Sequence, residues 1–152
     1  MQENFNRCHL NKAKAVAWDA LEPDERWLGQ ADVVIADIPC SGLGVIGRKR
    51  DIKYKMTPQA VQDIVELQEK ILKVAASYVK KGGKLLFSTC TVNKDENEAH
   101  VKWIQDTLKM TLVSLNGTLP GLVHSPTTQQ GFVQLIPGMQ DTDGFFISVF
   151  EK

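Results

Sequence analysis

Hydrophobic positions in the first third of the chain fall into short continuous runs. Residues 14–18 (KAVAW) contain a valine and an aromatic and are closed by Asp19, which predicts a buried strand. Residues 31–36 (ADVVIA) are continuously apolar and β-branched, which predicts a strand of a parallel sheet covered on both faces. Between these runs, residues 22–30 contain a proline and a glycine, which predicts a loop or one short helical turn.

Amphipathic segments follow these runs. Apolar residues recur at three- and four-residue steps in residues 58–80, after Thr57 as a helix N-cap and with a proline at the first helical position. This pattern predicts a long helix closed by the Lys-Lys-Gly of residues 80–82. Residues 93–108 begin acidic and become amphipathic, which predicts a second helix. Residues 38–56 have no period and many glycines and basic residues, which predicts a long loop.

Three further strands are predicted in the second half of the chain. Residues 84–88 (KLLFS) form one, and residues 132–136 and 145–150 form a hairpin whose turn is residues 137–144. Residues 116–130, rich in glycine, proline, serine and threonine, are predicted to be a loop. The alternation of strands and helices predicts an α/β fold with a hairpin at the end of the sheet.

Composition restricts the function classes. The chain has 152 residues and 43% hydrophobic residues, which predicts one domain over residues 1–152. It carries 18 basic and 18 acidic residues, so contact with a nucleic acid must come from a local patch. Three cysteines without a C-x-x-C pattern, and three scattered histidines, indicate a reduced protein without a metal site. We also expect no membrane segment, no secretory signal and a cytoplasmic location.

Candidate chemistry concentrates at the carboxyl ends of two predicted strands, where open α/β sheets bind ligands. Residues 37–44 (DIPCSGLG) follow one strand, and residues 88–91 (STCT) end the next. Cys40 and Cys90, fifty positions apart, can therefore meet over one cleft. A free cysteine is most often a small buried hydrophobe. The aspartate, proline and glycines around Cys40 instead favour a substrate loop, because glycine lets the backbone approach a flat ligand.

These motifs, in their order and spacing, carry a family resemblance over nearly the whole chain. It resembles the Sun (RsmB-type) RNA cytosine-5 methyltransferases, bacterial ribosomal RNA enzymes among them. The matching segments read DIPCSGLG, IGRKRDIKYKMTP, LQEKIL, GGKLLFSTCTVNKDENEA and LIPGMQDTDGFF. The resemblance implies a Rossmann-like, S-adenosylmethionine-dependent methyltransferase fold. It also implies that Cys90 is the nucleophile and that Cys40 helps to release the product.

Three further residues receive site roles. The resemblance implies that Asp19 binds the adenine amino group of S-adenosylmethionine and that Asp37 and Pro39 line the rest of the cofactor site. Cytosine C5 is a weak nucleophile, so a thiolate must first add at C6 to activate the ring. Asp37 is placed to relieve the developing charge at ring nitrogen N3. The alternative for Asp37 is a carboxylate that caps loop amides.

The only dense basic segment lies in the predicted loop between the first strand pair and the long helix. Its charges surround one aromatic ring, which suits phosphate contact with base stacking in RNA, ribosomal RNA by the resemblance. A solvated charged loop is an equally common reading of so short a run. Family members often have proline at the position of Arg50. The candidate RNA-binding residues are Arg48, Lys49, Arg50, Lys53 and Tyr54.

The expected methyltransferase fold is truncated. Such a sheet begins with a strand, a glycine-rich turn around the cofactor and a second strand ending in an acidic residue, and none of these precedes residues 14–18. We therefore expect a half-built cofactor site and an inactive chain. Residues 14–18 should be displaced, disordered or paired with another copy, so a homodimer through an exposed sheet edge is one expectation.

Two alternative functions remain open. One is a non-catalytic RNA-binding or assembly module derived from such an enzyme. The other is a fragment of a DNA cytosine-5 methyltransferase, in which the cysteine of the Pro-Cys motif is the nucleophile. The second cysteine, in the Ser-Thr-Cys-Thr segment, favours the RNA enzymes.

Overall fold

A five-stranded mixed sheet with helices packed against it forms the body of the protein. The computed structural model describes residues 1–118 and 127–152. Two 3₁₀ turns, Glu25–Trp27 and Leu43–Val45, lie in the first third of the chain. The helices and strands are α1 (Gln2–Arg7), β1 (Ala31–Asp37), α2 (Ile52–Lys55), α3 (Pro58–Tyr78), β2 (Val79–Thr89), α4 (Glu98–Leu108), β3 (Thr111–Leu112), β4 (Phe132–Leu135) and β5 (Phe145–Glu151).

The strand order is β1-β2-β5-β3, with β4 also paired to β5. Strands β1 and β2 are parallel, and Asp37 is aligned with Ser88 at their carboxyl ends. Strand β5 runs antiparallel to β2 and forms the predicted hairpin with β4. The two short strands β3 and β4 share the other edge of β5, at opposite ends of it. The predicted α/β class and the terminal hairpin are therefore confirmed.

The hydrophobic core lies between the sheet and the helices α3 and α4. Leu72 of α3, Leu85 and Phe87 of β2, and Ile104 of α4 are fully buried in it. Complete burial of each such side chain contributes about 1.5 to 3 kcal/mol. Phe87 also lies 5.7 Å from the ring of Phe146 on β5, so the two central strands are joined by an aromatic pair.

Helix α3 begins as predicted, but it ends earlier. The Thr57 hydroxyl accepts a hydrogen bond from the amide of Ala60, which caps the first turn. The Lys-Lys-Gly of residues 80–82, expected to close the helix, belongs to β2, which starts directly after α3. Pairing with β1 is irregular here, and a Cβ at Gly83 would lie 2.9 Å from the Ala31 carbonyl oxygen. Tertiary pairing with β1 thus extends the strand over residues that locally favour a helix end.

The second long helix starts five residues later than predicted. Residues 94–97 form turns, and the Asp95 amide donates to the Asn93 side chain at 3.0 Å. Glu96 and Asn97 turn their side chains into the protein interior, where both are buried. Of the acidic residues that resemble a helix start, Glu96 therefore joins a buried polar network, whereas Glu98 lies in the first turn of α4.

The prediction that residues 31–36 form a strand covered on both faces is wrong, because one face of β1 is exposed. Val33 and Ile35 are 57% and 68% exposed, whereas Val34 and Ala36 on the other face pack towards the core. The reason is that β1 is an edge strand whose single partner among the described strands is β2.

The prediction that residues 14–18 form a buried strand is wrong. They have no strand partner and are exposed to solvent. This outcome agrees with the further expectation that the segment is displaced from the sheet.

The predicted loops are largely confirmed. The 3₁₀ turn Glu25–Trp27 is the expected short helical turn of residues 22–30. The loop of residues 38–56 also contains short helical segments, a 3₁₀ turn and the single turn of α2. The predicted loop of residues 116–130 lies partly outside the described residues, which omit 119–126. Within the described ranges, no helix is long and apolar enough to cross a membrane.

Candidate active site

Two cysteine side chains meet at the carboxyl ends of β1 and β2. Because these parallel strands end in register, the loops that follow them leave the sheet side by side. The Sγ atoms of Cys40 and Cys90 are 3.2 Å apart, close enough for one thiol to donate a hydrogen bond to the other. The meeting of the two thiols, predicted from their positions at the strand ends, is confirmed.

The Cys40 thiol is an unusually weak acid. Burial, and to a smaller extent the hydrogen bond with Cys90, raise the pKa of the Cys40 thiol to about 12. Cys40 therefore keeps its proton at neutral pH. A protonated Cys40 can donate its hydrogen bond to the Cys90 sulfur and so favour a negative charge there.

Asp37 is the last residue of β1 and precedes Cys40 by three positions. One of its carboxylate oxygens accepts a hydrogen bond from the Ser88 hydroxyl at 3.0 Å. The side chain is exposed, so its other lone pairs face the open end of the sheet. Its side-chain partner among the described contacts is thus a neighbouring strand residue and not a loop amide, the partner that a capping role would need.

An apolar cavity of about 320 Å³ opens next to Asp37. Asp37 and Pro39, both predicted cofactor residues, line it, and its other walls are mostly aliphatic and aromatic. Asp19 lies between two lining residues, Trp18 and Ala20, while its own carboxylate accepts the amide of Leu21 at 2.9 Å. This volume is at the lower limit of small-molecule sites, about 300 to 1,000 Å³. Apolar walls with a carboxylate at the rim fit the adenosine and methionine parts of S-adenosylmethionine only in part.

A buried carboxylate, Glu96, lies beneath the two cysteine loops. Its Oε2 accepts the Ser41 amide at 2.8 Å and the Gln68 side-chain amide at 3.0 Å. Its Oε1 accepts the Ser41 hydroxyl at 2.5 Å and the Thr91 hydroxyl at 3.3 Å. Sequence reasoning gave none of these residues a role. The available signal was Gln68, a polar residue inside the apolar stripe of the α3 sequence.

A second polar layer supports the strand end that carries Cys90. The Thr89 hydroxyl donates to the Asn97 side-chain oxygen at 2.6 Å. The Asn97 amide group donates to the Thr91 carbonyl at 3.0 Å and to the Gln134 side-chain oxygen at 2.7 Å. Strand β2, the start of α4 and strand β4 are thereby joined around Cys90. These contacts, too, were not foreseen from the sequence.

Two glycines clamp the site loops against the hairpin turn. The Gly44 amide donates to the Cys90 carbonyl at 3.1 Å, and the Gly144 amide donates to the Gly44 carbonyl at 2.8 Å. A Cβ at Gly44 would lie 2.5 Å from the Gly144 carbonyl oxygen, so a larger residue does not fit. The turn between β4 and β5 is therefore part of the site.

The basic segment lies in the loop before α3, and its side chains are exposed. Arg48 forms an ion pair of 2.9 Å with Asp143, which directly precedes the clamping Gly144. The Lys53 ammonium lies 4.7 Å from the centre of the Tyr54 ring, which is 79% exposed. Lys49 and Arg50 are also exposed. The segment thus presents cations and one aromatic ring at the side of the cleft where the hairpin turn lies.

No cluster of three metal-ligating side chains occurs among residues 1–118 and 127–152.

Comparison with known proteins identifies similar chains. A family described as 16S rRNA methyltransferase RsmB/F matches residues 1–151. Ribosomal RNA small subunit methyltransferase F from Escherichia coli and from Cronobacter sakazakii are each 29% identical over 154 residues, with 100% of this chain and 32% of each relative covered. The chain thus spans about a third of the length of these curated relatives.

Solved structures show the same arrangement. NSun6 from Pyrococcus horikoshii, solved with SFG, superposes with a TM-score of 0.77 at 26% identity, covering 100% of this chain and 38% of its own. A methyltransferase homolog protein from the same organism superposes with a TM-score of 0.78 at 26% identity, covering 99% of this chain and 48% of its own. The described sheet and helices therefore correspond to one part of a larger methyltransferase fold.

Proposed function

The chain belongs to the 16S rRNA methyltransferase RsmB/F family, and we propose that it forms the cysteine-bearing part of an RNA cytosine-5 methyltransferase. The observation that carries this proposal is the 3.2 Å separation of the Cys40 and Cys90 sulfurs at the strand ends where Asp37 also lies. Two thiols and one carboxyl group at adjacent strand ends are the groups that addition to, and release from, a pyrimidine ring require.

Cys90 is the proposed nucleophile. Its thiolate forms a bond to C6 of the cytosine, and the electrons displaced from the ring double bond move towards N3. A proton or a hydrogen bond at N3, on the side of the ring that faces Asp37, relieves that charge. S-adenosylmethionine supplies an electrophilic methyl group to C5 when it is bound. Cys90 stays attached at C6 until the C5 proton has been removed.

Cys40 is the proposed release residue. Elimination breaks the bond between the Cys90 sulfur and C6 and leaves the electron pair on that sulfur. Because its pKa is about 12, Cys40 still carries a proton and can donate it as a hydrogen bond to the departing sulfur. This contact lowers the energy of Cys90 as a leaving group and so speeds release of the methylated RNA.

The cofactor site of this chain is proposed to be partial. Asp37 and Pro39 would line one side of S-adenosylmethionine, and Asp19 would bind the adenine amino group. The edge position of β1 and the exposure of Val33 and Ile35 support the view that further protein covers this face in a complete enzyme. On its own, the chain should therefore be inactive and serve at most as an RNA-binding module.

The proposed substrate is RNA, ribosomal RNA by the family. Arg48, Lys49, Arg50 and Lys53 would contact phosphates, and the exposed ring of Tyr54 would stack on a base. Support comes from the exposure of all five side chains and from the ion pair that joins Arg48 to the hairpin turn of the site. An enzyme acting on ribosomal RNA in bacteria works in the cytoplasm, and we place this protein there.

A homodimer is the proposed way for this chain to cover its open edge when alone. Among the described strands β1 pairs with β2 alone and leaves one edge open, and the apolar side chains of Val33 and Ile35 on one face of β1 are exposed. Such an edge is a template for pairing with a second strand. Light scattering of the purified chain, with Val33→Lys as the interface variant, distinguishes a dimer from a monomer.

Methyl transfer to ribosomal RNA tests the proposed function. A longer protein that contains this chain together with a complete cofactor site should transfer labelled methyl groups to C5 of cytosine. Cys90→Ser in that protein should remove the activity. Transfer to a different base or to DNA, with the cofactor bound, would contradict the proposal.

A further inference from the structure

Glu96 makes no described hydrogen bond with either thiol, but three of its four hydrogen bonds come from the loops that carry the thiols. Ser41 directly follows Cys40, and Thr91 directly follows Cys90, and the hydroxyls of both donate to the same carboxylate. The Ser41 and Thr91 hydroxyls are also 2.8 Å from each other. One side chain thus joins the two loops whose cysteines must meet.

The same carboxylate ties these loops to the long helix. The Gln68 side chain of α3 donates to Glu96 and also to the carbonyl of Pro39, the residue before Cys40. Both Gln68 and Glu96 are 0% exposed, so water does not replace these contacts. Buried charge-assisted hydrogen bonds of this kind are about twice as strong as neutral ones.

We infer that Glu96 is a positioning residue that holds the Cys40 and Cys90 sulfurs at their 3.2 Å separation. Four hydrogen bonds are donated to the two oxygens of Glu96. An ionised carboxylate is the side chain that accepts hydrogen bonds on both of its oxygens. A glutamine would place an NH₂ group against the Ser41 or Gln68 donors. The loop that carries Cys40 would then move away from Cys90.

The catalytic meaning of this separation rests on the proposed function, but the separation itself can be measured without methyl transfer. Glutathione disulfide oxidises two adjacent thiols by thiol-disulfide exchange. Cys40 and Cys90 each lose a proton and share the loss of two electrons as their disulfide forms, while glutathione disulfide becomes two molecules of glutathione. The equilibrium constant gives the effective concentration of one thiol at the other.

The experiment uses the chain with Cys8→Ser, so that only the two site thiols remain. Glutathione mixtures of known ratio are equilibrated with the folded protein, and the disulfide fraction is measured by mass spectrometry. Glu96→Gln should lower the effective concentration about ten-fold or more, because a buried charge-assisted contact is lost. The matched control is Glu98→Gln, which makes the same change at an exposed position two residues away. Glu98→Gln should leave the effective concentration unchanged.

A general loosening of the protein is tested separately. Ile104→Ala creates a cavity in the hydrophobic core at a residue of α4 that takes no part in the polar network of Glu96. Where circular dichroism shows that this variant is folded, its effective concentration should match that of the parent chain. A decrease as large as that of Glu96→Gln would overturn the inference.

A second variant covers the case in which Glu96→Gln does not fold. Ser41→Ala removes the hydroxyl contacts to Glu96 and Thr91 but keeps the Ser41 amide bond. It should lower the effective concentration about three-fold, a smaller loss because one neutral donor is removed. The inference is wrong if the folded Glu96→Gln variant keeps the effective concentration of the parent chain. Where Glu96→Gln does not fold, the same holds for Ser41→Ala. It is equally wrong if the parent chain forms no disulfide between Cys40 and Cys90.

Discussion

Gly44 and Gly144, one hundred positions apart, contact each other through their backbones. The Gly144 amide donates to the Gly44 carbonyl at 2.8 Å, and a Cβ at Gly144 would lie 2.6 Å from the Gly44 Cα. This contact joins the loop after β1 to the turn between β4 and β5. The proposed nucleophile is held at the same point, because the Gly44 amide also binds the Cys90 carbonyl.

Gly44→Ala should therefore destabilise the chain. The added methyl group would overlap backbone atoms that cannot rotate away, which costs about 1 to 3 kcal/mol as overpacking does elsewhere. Urea unfolding followed by circular dichroism measures the loss. The matched control is Gly47→Ala, three residues away, where a Cβ meets nothing within 4 Å. Equal stability of the two variants would contradict the clamp.

Cys40 should resist alkylation at pH values where ordinary thiols react. Iodoacetamide reacts with the thiolate. With a pKa of about 12, only about one Cys40 in ten thousand is ionised at pH 8. Alkylation of the Cys40 peptide, measured by mass spectrometry between pH 7 and 11, should still be rising at pH 11. Half-maximal reaction below pH 9 would show that burial does not govern this thiol.

The same raised pKa predicts a direction for stability at high pH. The folded chain binds the Cys40 proton more tightly than the unfolded chain, whose thiol has the ordinary pKa of 9.0. The contribution is therefore complete below pH 9 and is lost as the pH rises towards 12. Cys40→Ala should make the free energy of unfolding less dependent on pH over this range. An unchanged pH dependence in the variant would assign the effect to other groups.

Replacing each cysteine by serine in a complete enzyme should give opposite results. Cys90→Ser should form no covalent bond to RNA, because the attacking thiol is gone. Cys40→Ser should still attack but release slowly, so that protein linked to RNA accumulates. Denaturing gel electrophoresis with substrate RNA separates the linked species. A linked species in Cys90→Ser and none in Cys40→Ser would reverse the two roles.

This chain by itself should bind S-adenosylmethionine weakly or not at all. Asp19 and Asp37 are exposed, and each exposed hydrogen bond adds only about 0.5 to 1.5 kcal/mol. Such contacts cannot offset the entropy lost when the ligand is immobilised. Isothermal titration of the purified chain measures the affinity. Saturable binding at low micromolar concentration would show that a dimer or another segment completes the site.

Removing charges from the basic segment should weaken RNA binding in a salt-dependent way. The triple variant Lys49→Gln, Arg50→Gln and Lys53→Gln should reduce the slope of log affinity against log salt by about 2. Fluorescence anisotropy with a single-stranded ribosomal RNA fragment measures this slope between low and physiological salt.

The control for the basic segment makes an equal charge change elsewhere. Lys70→Gln, Lys94→Gln and Lys109→Gln remove three exposed positive charges outside the segment. This variant should retain most of the parent slope. If both triple variants lower the slope equally, the segment has no special role in binding RNA.

Local sequence patterns were sufficient for most helices and strands and for the pair of cysteines. The apolar stripe of α3, the β-branched run of β1 and the alternating hairpin of β4 and β5 each depend on neighbours only a few residues away. Parallel strands end at one edge of a sheet, so Cys40 and Cys90 could be placed together from their positions alone.

Contacts between distant segments decided the rest. Glu96 lies in a sequence that locally resembles a helix start, but its partners Ser41 and Gln68 are 55 and 28 residues away. Likewise, Val33 and Ile35 have the pattern of a doubly covered strand, yet their exposure follows from which strands and helices lie beside β1. Burial and hydrogen-bond partners are properties of neighbours in space, and a pattern of adjacent residues does not contain them.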